Sequence, residues 1–196
     1  MSEHGALRLG VLGSGHGSNF EAICRAIDRR TLDAEIGAVL SDQSGARILE
    51  LGRQCSARTE CIVPSTPRGR LDAETEEKYV GILREENVNL VVLAGFMRIV
   101  GPVLLAAYPR RVINVHPSLL PKYRGANAAA QALAAGDKMT GCTVHYVDAG
   151  VDTGEIIAQR EVPVHPGDTA DTLQARIRAA EHELLPSVIA SFAAHE

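Results

Sequence analysis

Short runs of aliphatic and β-branched residues alternate along the first half of the chain with longer stretches of helical period, and turn residues separate them. In chain order, this pattern predicts strand 7–12, helix 18–30, strand 35–40, helix 45–54, a short strand 61–63 and helix 71–86. Strands that alternate with helices in this way are typical of βαβ units built on a parallel sheet.

Two nearly uninterrupted apolar runs follow, and they are expected to form the centre of the sheet. Residues 90–94 and 112–115 have the composition of parallel strands that are covered on both faces. The second run contains Asn114 and ends just before His116, so it would deliver both side chains to the carboxyl end of the sheet. Ligands of open α/β sheets bind at that end.

The pattern changes in the last third of the chain. Alanine-rich residues 126–135 predict a helix, and segments 142–147 and 155–162 predict two strands joined by a glycine-containing loop. A closing helix is predicted from residue 169, with Asp168 as its N-cap. The predicted fold class is therefore α/β: a Rossmann-like, mostly parallel sheet flanked by helices, with an antiparallel or mixed extension near the C-terminus.

The composition indicates one domain and excludes several classes of function. A chain of 196 residues can bury a core of its own, so residues 1–196 are interpreted as one domain. The formal charge of -4 and the scattered Lys and Arg residues argue against nucleic-acid binding. We find neither a secretory leader nor an apolar run long enough for a membrane span, so a cytoplasmic location is expected.

The four cysteines are widely separated and form no C-x-x-C pair. This spacing suggests neither a zinc ribbon nor a disulfide framework. They are expected to be small buried hydrophobic residues in a reducing compartment.

A glycine-rich segment, 13–17, lies between the first predicted strand and helix, and Ser18 and Asn19 follow it. Glycines let backbone N–H groups approach a ligand, and the unpaired N–H groups of a helix start favour an anion. One interpretation is a phosphate site, and the other is an ordinary tight turn. The spacing is not the dinucleotide fingerprint G-x-G-x-x-G and lacks a Gly-Lys-Ser/Thr ending, which disfavours NAD and ATP.

Asn114, His116 and Asp152 together suit acyl or formyl transfer without a covalent intermediate. A carboxamide can donate a hydrogen bond to a developing oxyanion, an imidazole can exchange protons at neutral pH, and a nearby carboxylate favours its charged form. Each residue also has a structural interpretation, because Asn and Asp often form turns and a single histidine is commonly structural.

Two other kinds of site fit the sequence less well. A metal site built from His116, His145, Asp148 and Asp152 would lack the H-x-x-x-H or H-E-x-x-H spacing, so no metal is expected. A serine hydrolase would need a G-x-S-x-G elbow, which the chain does not contain, and Ser118 follows a proline.

Over residues 7–191 the chain resembles the phosphoribosylglycinamide formyltransferases. The segments that carry the resemblance are residues 17–19, 93–99, 114–121, 143–147 with the following Asp152, and the pair Glu181-His182. The resemblance implies transfer of the formyl group from 10-formyltetrahydrofolate, a co-substrate, to the amine of glycinamide ribonucleotide in de novo purine biosynthesis. Small-molecule substrates are thus the expected partners.

The resemblance also implies a role for each matching residue. Residues 1–110 would form the phosphate-binding half and residues 111–196 the catalytic and folate-side half. The implied roles are catalysis for Asn114, His116 and Asp152, phosphate binding for Gly17, Ser18 and Asn19, ribose binding for Glu181, and folate binding for Met97, Arg98, Ile99, Val100, Asn114 and, as a weaker match, Arg70.

The chain departs from part of the family at residues 124–129, which read Arg-Gly-Ala-Asn-Ala-Ala where some members have further histidines. The Arg-Gly-Ala part resembles the same segment of methionyl-tRNA formyltransferases. Asn127 occupies the position of one such histidine. The alternatives are folate-dependent formyl-group enzymes that act on methionyl-tRNA, a nucleotide sugar or water, and a nucleotide-binding module without catalysis. The tRNA enzyme and the hydrolase usually have a further domain, for which 196 residues leave no room.

Overall fold

The apolar segments of the chain form the middle of one sheet in the computed structural model, which describes residues 7–67 and 69–193. The strands are β1 (Leu7–Leu12), β2 (Ala34–Ser41), β3 (Arg58–Cys61), β4 (Leu90–Leu93), β5 (Val112–His116), β6 (Met139–Tyr146) and β7 (Ile156–Pro163). The helices are α1 (Ser18–Asp28), α2 (Arg47–Gln54), α3 (Ala73–Glu85), α4 (Pro102–Ala107), α5 (Ala128–Ala134) and α6 (Ala170–Ala193). Among these described residues, no helix is both long enough and apolar enough to cross a membrane.

The sheet has the strand order β3-β2-β1-β4-β5-β6-β7 and is covered on both faces. Successive side chains of a strand point to opposite faces. On one face Leu9 of β1 packs in a core with Phe20 of α1 and Ile177 of α6. On the other face Leu12 of β1 belongs to a second core with Tyr79 of α3. This double burial explains why the central strands are almost wholly apolar.

The strands β1 to β5 pair in parallel, whereas β6 pairs antiparallel with β5 and β7 pairs antiparallel with β6. The predicted fold class, with its antiparallel extension near the C-terminus, is therefore confirmed. In the register of β5 and β6, Asn114 lies opposite His145 and His116 lies opposite Thr143. The extension thus brings a second histidine to the face that carries Asn114 and His116.

Two elements differ from the sequence-based expectation. Strand β3 spans Arg58–Cys61 rather than residues 61–63, because this polar edge strand is fixed by pairing with β2 and not by an apolar face. Helix α4 was not predicted from the sequence. It has Pro102 in its first turn, and the buried Glu76 carboxylate of α3 accepts hydrogen bonds from the N–H groups of Gly101 and Val103.

The start of α6 also differs from the prediction. The helix begins at Ala170, and the hydroxyl of the preceding Thr169 accepts a hydrogen bond of 3.2 Å from the N–H of Thr172. Thr169 is thus the capping residue. Asp168 instead accepts hydrogen bonds from the Arg176 guanidinium and the His165 N–H, so the predicted cap is wrong by one residue.

Candidate active site

Three neighbouring parallel strands carry the candidate site at their carboxyl ends. The glycine loop follows β1, residues 95–100 follow β4, and Asn114 and His116 end β5. Because β1, β4 and β5 are adjacent in the sheet, these three segments lie side by side along the carboxyl ends of the parallel strands. Neighbouring strands are about 4.8 Å apart, which places the glycine loop about 10 Å from the end of β5.

The predicted trio of Asn114, His116 and Asp152 is assembled in the structure. The Asp152 carboxylate lies 3.3 Å from His116 Nδ1, and its other oxygen accepts a hydrogen bond of 3.3 Å from Asn114 Nδ2. His116 is 5% exposed and the Asp152 side chain is 12% exposed, so the contacts are largely shielded from water. Asp152 comes from the loop between β6 and β7, 36 residues after His116 in sequence.

His145 is a fourth member of this cluster, and the sequence analysis did not assign it a catalytic role. Its Nδ1 donates to the backbone oxygen of Tyr146 at 2.8 Å, which leaves Nε2 as an acceptor for Asn114 Nδ2 at 3.1 Å. His145 Nε2 also lies 3.5 Å from Asp152. His145 therefore fixes the orientation of the Asn114 carboxamide. The signal in the sequence was the spacing of Thr143 and His145, which places both on one face of β6.

Asp152 is held as a carboxylate by its surroundings. Burial by itself raises the pKa of Asp152, but the hydrogen bond from the N–H of Gly125 and the charge of His116 oppose it. The pKa consequently lies below its ordinary value. The backbone of Asp152 is left-handed, with φ of 49°, a conformation that non-glycine residues adopt mainly where the surroundings impose it.

Both ring nitrogens of His116 face oxygen acceptors. Nε2 lies 2.8 Å from the backbone oxygen of Tyr123, and Nδ1 faces the Asp152 carboxylate. Only a doubly protonated imidazole can donate to both. The geometry thus suits a ring that stabilises negative charge on a neighbouring group.

The glycine loop has the shape expected of an anion site. Gly17 precedes α1 with φ of 77°, and a Cβ at this position would lie 3.0 Å from Leu51 and 3.1 Å from Ile48. The first N–H bonded within α1 is that of Glu21, to the Gly17 oxygen at 2.9 Å. The N–H groups of Ser18 and Asn19 therefore point out of the helix end, where they favour an anion.

Asn19 and Glu181 form a buried pair between α1 and α6. Asn19 Nδ2 donates to a Glu181 carboxylate oxygen at 3.1 Å, and the two residues are 8% and 5% exposed. Burial raises the pKa of Glu181 to about 7, although the hydrogen bond from Asn19 lowers it. The structure therefore shows Glu181 in contact with Asn19. Ribose binding by Glu181 stays a prediction.

The Glu181→Gln variant should lose part of the pH dependence of stability. The folded pKa of about 7 exceeds the ordinary 4.5, so wild-type stability is full below pH 4.5 and falls as pH rises to about 7. This decline amounts to about 3 kcal/mol. We expect urea unfolding to give Glu181→Gln a nearly unchanged stability at pH 4.5 and a higher one than wild type at pH 8.

The matched control for this variant is Glu183→Gln. Glu183 lies on the same helix as Glu181, and its exposed carboxylate is paired with Arg160 of β7. The control should keep the wild-type decline. An equally steep decline in Glu181→Gln would show that the carboxyl of Glu181 does not cause it.

A buried ion pair holds residues 95–100 against the glycine loop. Arg98 Nε lies 2.8 Å from Asp42, and the two side chains are 6% and 1% exposed. Ser14 Oγ donates to the other oxygen of Asp42 at 2.5 Å and accepts from the N–H of Met97 at 2.8 Å. Burial raises the pKa of Asp42, but hydrogen bonds from Ser14, Arg98 and Gln43 hold it below its ordinary value.

The predicted folate-binding residues therefore have different environments. The Met97 side chain is 73% exposed at the sheet edge, and Val100 is buried. The Arg98 guanidinium is occupied by Asp42 and by the backbone oxygen of Thr66. Arg98 thus positions this segment, and Met97 offers the most accessible apolar surface in it.

Arg70, the weaker match to a folate-binding residue, connects two loops of the site. Its guanidinium donates to the backbone oxygens of Val100 and Ala149, both at 2.8 Å. Its backbone pairs with Ile99 in an isolated bridge. Arg70 therefore ties residues 97–100 to the loop that carries Asp152.

Replacing Arg98 by methionine should destabilise the protein by about 3 kcal/mol, because it leaves the Asp42 carboxylate buried without its cation. The measurement is a urea unfolding curve. Adding Asp42→Asn to Arg98→Met should recover part of the loss. The control is Arg110→Met, whose pair with Glu155 is exposed and should contribute far less to stability. Equal losses for Arg98→Met and Arg110→Met would contradict the prediction.

Asn127, where the sequence departs from other members, lies at the start of α5. It is exposed and its backbone is left-handed, with φ of 61°. Its side chain forms no capping hydrogen bond. Within residues 7–67 and 69–193, no group of three or more His, Cys, Asp or Glu side chains is arranged to hold a metal ion.

The geometry of this site agrees with the family comparison. Residues 7–189 match the family described as formyl transferase. This chain belongs to the formyl transferase family. The match spans the glycine loop, residues 95–100, the trio of Asn114, His116 and Asp152, and Glu181.

Two relatives of this formyl transferase show the likeness in sequence. It is 40% identical over 182 residues to the phosphoribosylglycinamide formyltransferase of Bacillus subtilis (strain 168), covering 93% of this chain and 92% of the relative. It is also 42% identical over 188 residues to a trifunctional purine biosynthetic protein adenosine-3 of Chironomus tentans, covering 93% of this chain but 13% of that longer protein.

Solved structures extend the likeness to the fold. The crystal structure of glycinamide ribonucleotide transformylase 1 from Symbiobacterium toebii matches with a TM-score of 0.91 and 40% identity, covering 98% of this chain and 90% of that one. The phosphoribosylglycinamide formyltransferase from Bacillus halodurans matches with a TM-score of 0.89 and 39% identity, covering 96% of each chain. The formyl transferase described here therefore shares its architecture with these proteins over nearly its whole length.

Proposed function

We propose that this chain transfers the formyl group of 10-formyltetrahydrofolate to the amine of glycinamide ribonucleotide. The observation that carries the proposal is the alignment of three segments at one sheet edge. A loop suited to phosphate follows β1, the Asn114 and His116 side chains end β5, and segment 95–100, with its exposed Met97, lies between them.

The spacing of these segments supports a phosphoribosyl amine as the acceptor. The glycine loop and the end of β5 are about 10 Å apart, a separation that a ribonucleotide with a short amide arm can bridge. With the phosphate at the N–H groups of Ser18 and Asn19, the sugar lies near the Asn19–Glu181 pair and the amine reaches Asn114 and His116.

The folate side of the site is the segment that Arg98 and Arg70 hold in place. Met97 is exposed there, and Gly95 is also exposed with φ of 70°. An aromatic pteridine needs an apolar surface and backbone groups that recognise its polar edge. Residues 95–100 offer the apolar surface of Met97 beside the end of β5, which would bring the formyl carbon next to Asn114 and His116.

In the proposed mechanism, the neutral amine attacks the formyl carbon and a tetrahedral oxyanion forms. Asn114 Nδ2 and the protonated ring of His116 donate to this oxygen, and the oxygen replaces the Tyr123 carbonyl as the acceptor of the Nε2 proton. The carbon–nitrogen bond to the folate then breaks. The attacking nitrogen loses one proton and the leaving folate nitrogen gains one, so neither a covalent enzyme intermediate nor a net proton is required.

Asp152 and His145 prepare this arrangement before the substrates bind. Asp152 accepts from His116 Nδ1 and fixes the orientation of the ring, and His145 accepts from Asn114 so that the amide nitrogen faces the cluster. Of the two contacts of Asn114 Nδ2, the one to Asp152 is longer, at 3.3 Å. We infer that this contact is exchanged for the formyl oxygen.

One assay separates the candidate functions. The protein is mixed with 10-formyltetrahydrofolate, with and without glycinamide ribonucleotide, and deformylated folate and formylated ribonucleotide are followed. Transfer predicts both products, and only when the ribonucleotide is present. Release of folate without it would indicate hydrolysis, and no release in either mixture would contradict the proposal and favour a different acceptor or a binding module.

A further inference from the structure

Two cysteines that are distant in sequence lie side by side on the surface of the protein. Cys24 belongs to α1 and Cys55 follows the last residue of α2, and their sulfur atoms are 3.3 Å apart. Of the four cysteines, only Cys142 is buried, whereas Cys24 is partly exposed and Cys55 and Cys61 are exposed. The expectation that all four are buried hydrophobic residues is therefore wrong.

We propose that Cys24 and Cys55 form a reversible disulfide that links α1 to α2. A disulfide bond is about 2.05 Å long, so the two sulfurs have to approach each other by roughly 1.3 Å. Cys55 lies in the turn after α2, and the next residue, Ser56, has a left-handed backbone with φ of 57°. A residue in such a turn can shift more easily than one inside a helix, so Cys55 supplies the movement.

The two helices already have a fixed relation near their starts. The N–H of Ile48 in α2 donates to the oxygen of Gly15 at 3.1 Å, and the space beside Gly17 is filled by Ile48 and Leu51. Cys55 lies at the opposite end of α2 from Ile48, and Cys24 lies near the middle of α1. A disulfide would thus add a second connection to a pair of helices that is already aligned, without moving the glycine loop.

The exposure of the two thiols determines which of them reacts first with oxidised glutathione. Burial, then the hydrogen bond and the charge of Cys55, raise the pKa of the Cys24 thiol. The exposed Cys55 thiolate attacks one sulfur of oxidised glutathione first, which forms a mixed disulfide and releases one glutathione thiolate.

Cys24 completes the exchange. It gives its proton to solvent and attacks the sulfur of Cys55, which releases the second glutathione. In total, two protein thiols are oxidised to one disulfide and one oxidised glutathione is reduced to two thiols.

The test uses the full chain in a glutathione redox buffer, followed by alkylation, trypsin digestion and mass spectrometry. Residues 9–25 and 54–58 are separate tryptic peptides, each with one cysteine, and the proposal predicts that they are recovered as one linked species. Reactive thiols in the denatured chain should fall from four to two. The oxidised protein should melt about 5 to 10 °C higher, because the bond closes a loop in the unfolded chain.

Two variants make the result specific. Cys24→Ser should stop the reaction at a stable Cys55–glutathione adduct, and the control Cys61→Ser, which removes an exposed thiol elsewhere, should leave the linkage unchanged. Recovery of the two peptides with one glutathione on each, or of a link between Cys55 and Cys61, would overturn the proposal. The proposal would also be overturned if all four thiols stayed free in a glutathione buffer that oxidises the dithiols of other proteins.

Discussion

Replacing His116 by alanine is expected to lower kcat for formyl transfer by about 10³-fold or more. The variant removes a hydrogen-bond donor to the oxyanion, a contact worth about 10²- to 10³-fold in kcat. It also removes the positive charge that faces Asp152. The KM for glycinamide ribonucleotide should change little, because in the proposed binding mode the glycine loop holds the phosphate. Single-turnover measurements with both substrates in excess of KM give the rate of the chemical step.

The matched control is His165→Ala, which removes an exposed histidine between β7 and α6. It should retain the wild-type rate. The stability of His116→Ala must be compared as well, because the ring is bonded to the Tyr123 oxygen, and a loss of about 1 kcal/mol is expected. A folded His116→Ala variant with wild-type kcat would remove His116 from the mechanism.

The Asp152→Asn variant should have the second largest effect, a fall of about 10³-fold in kcat. Where a carboxylate orients a catalytic imidazole in another enzyme class, the same change costs about 10⁴-fold. In this protein the carboxylate contacts His116, Asn114 and the N–H of Gly125. An asparagine cannot accept from all three and brings an N–H group toward donors, so both the charge and the orientation of the cluster change.

Asp148→Asn tests whether the loop or the carboxylate matters. Asp148 lies in the same loop but accepts from Gly150 and Thr153 in a local turn, so kcat should stay within about threefold of wild type. The pKa of Asp152 is below its ordinary 3.8, so wild-type activity should show no loss from its protonation above that pH. If Asp148→Asn loses as much rate as Asp152→Asn, the loop conformation rather than the carboxylate explains both effects.

The central part of the fold was predictable from the sequence because burial on two faces leaves a simple pattern. The apolar runs predicted the first and last residues of β1, β4 and β5 to within one residue. Edge strand β3 and helix α4 lack such a pattern. The polar residues of β3 are ordered by hydrogen bonds to β2, and α4 is a helix of six residues that is capped by Glu76 from α3. Both depend on tertiary contacts that a local window does not contain.

The residues of the candidate site also divide into those that the sequence predicts and those that depend on tertiary contacts. Asn114 and His116 are two residues apart on one strand, so their shared face followed from strand geometry. Asp152 was grouped with them by its chemistry alone, and its distance from His116 could not be predicted because it depends on the course of the loop after β6. His145 depends on the register between β5 and β6. No sequence pattern indicated that Arg98 would be paired with Asp42, since the two residues lie on different strand ends.

The antiparallel extension has a consequence for how the protein gains its activity. Asn114 and His116 end the parallel part of the sheet, whereas His145 and Asp152 belong to β6 and the loop that follows it. A folding intermediate with strands β1 to β5 in place would therefore have the glycine loop and the side chains of Asn114 and His116, but neither His145 nor Asp152, which contact them. Formyl transfer then reports the docking of the last third of the chain, and the appearance of turnover during refolding marks the moment when this β-hairpin closes on β5.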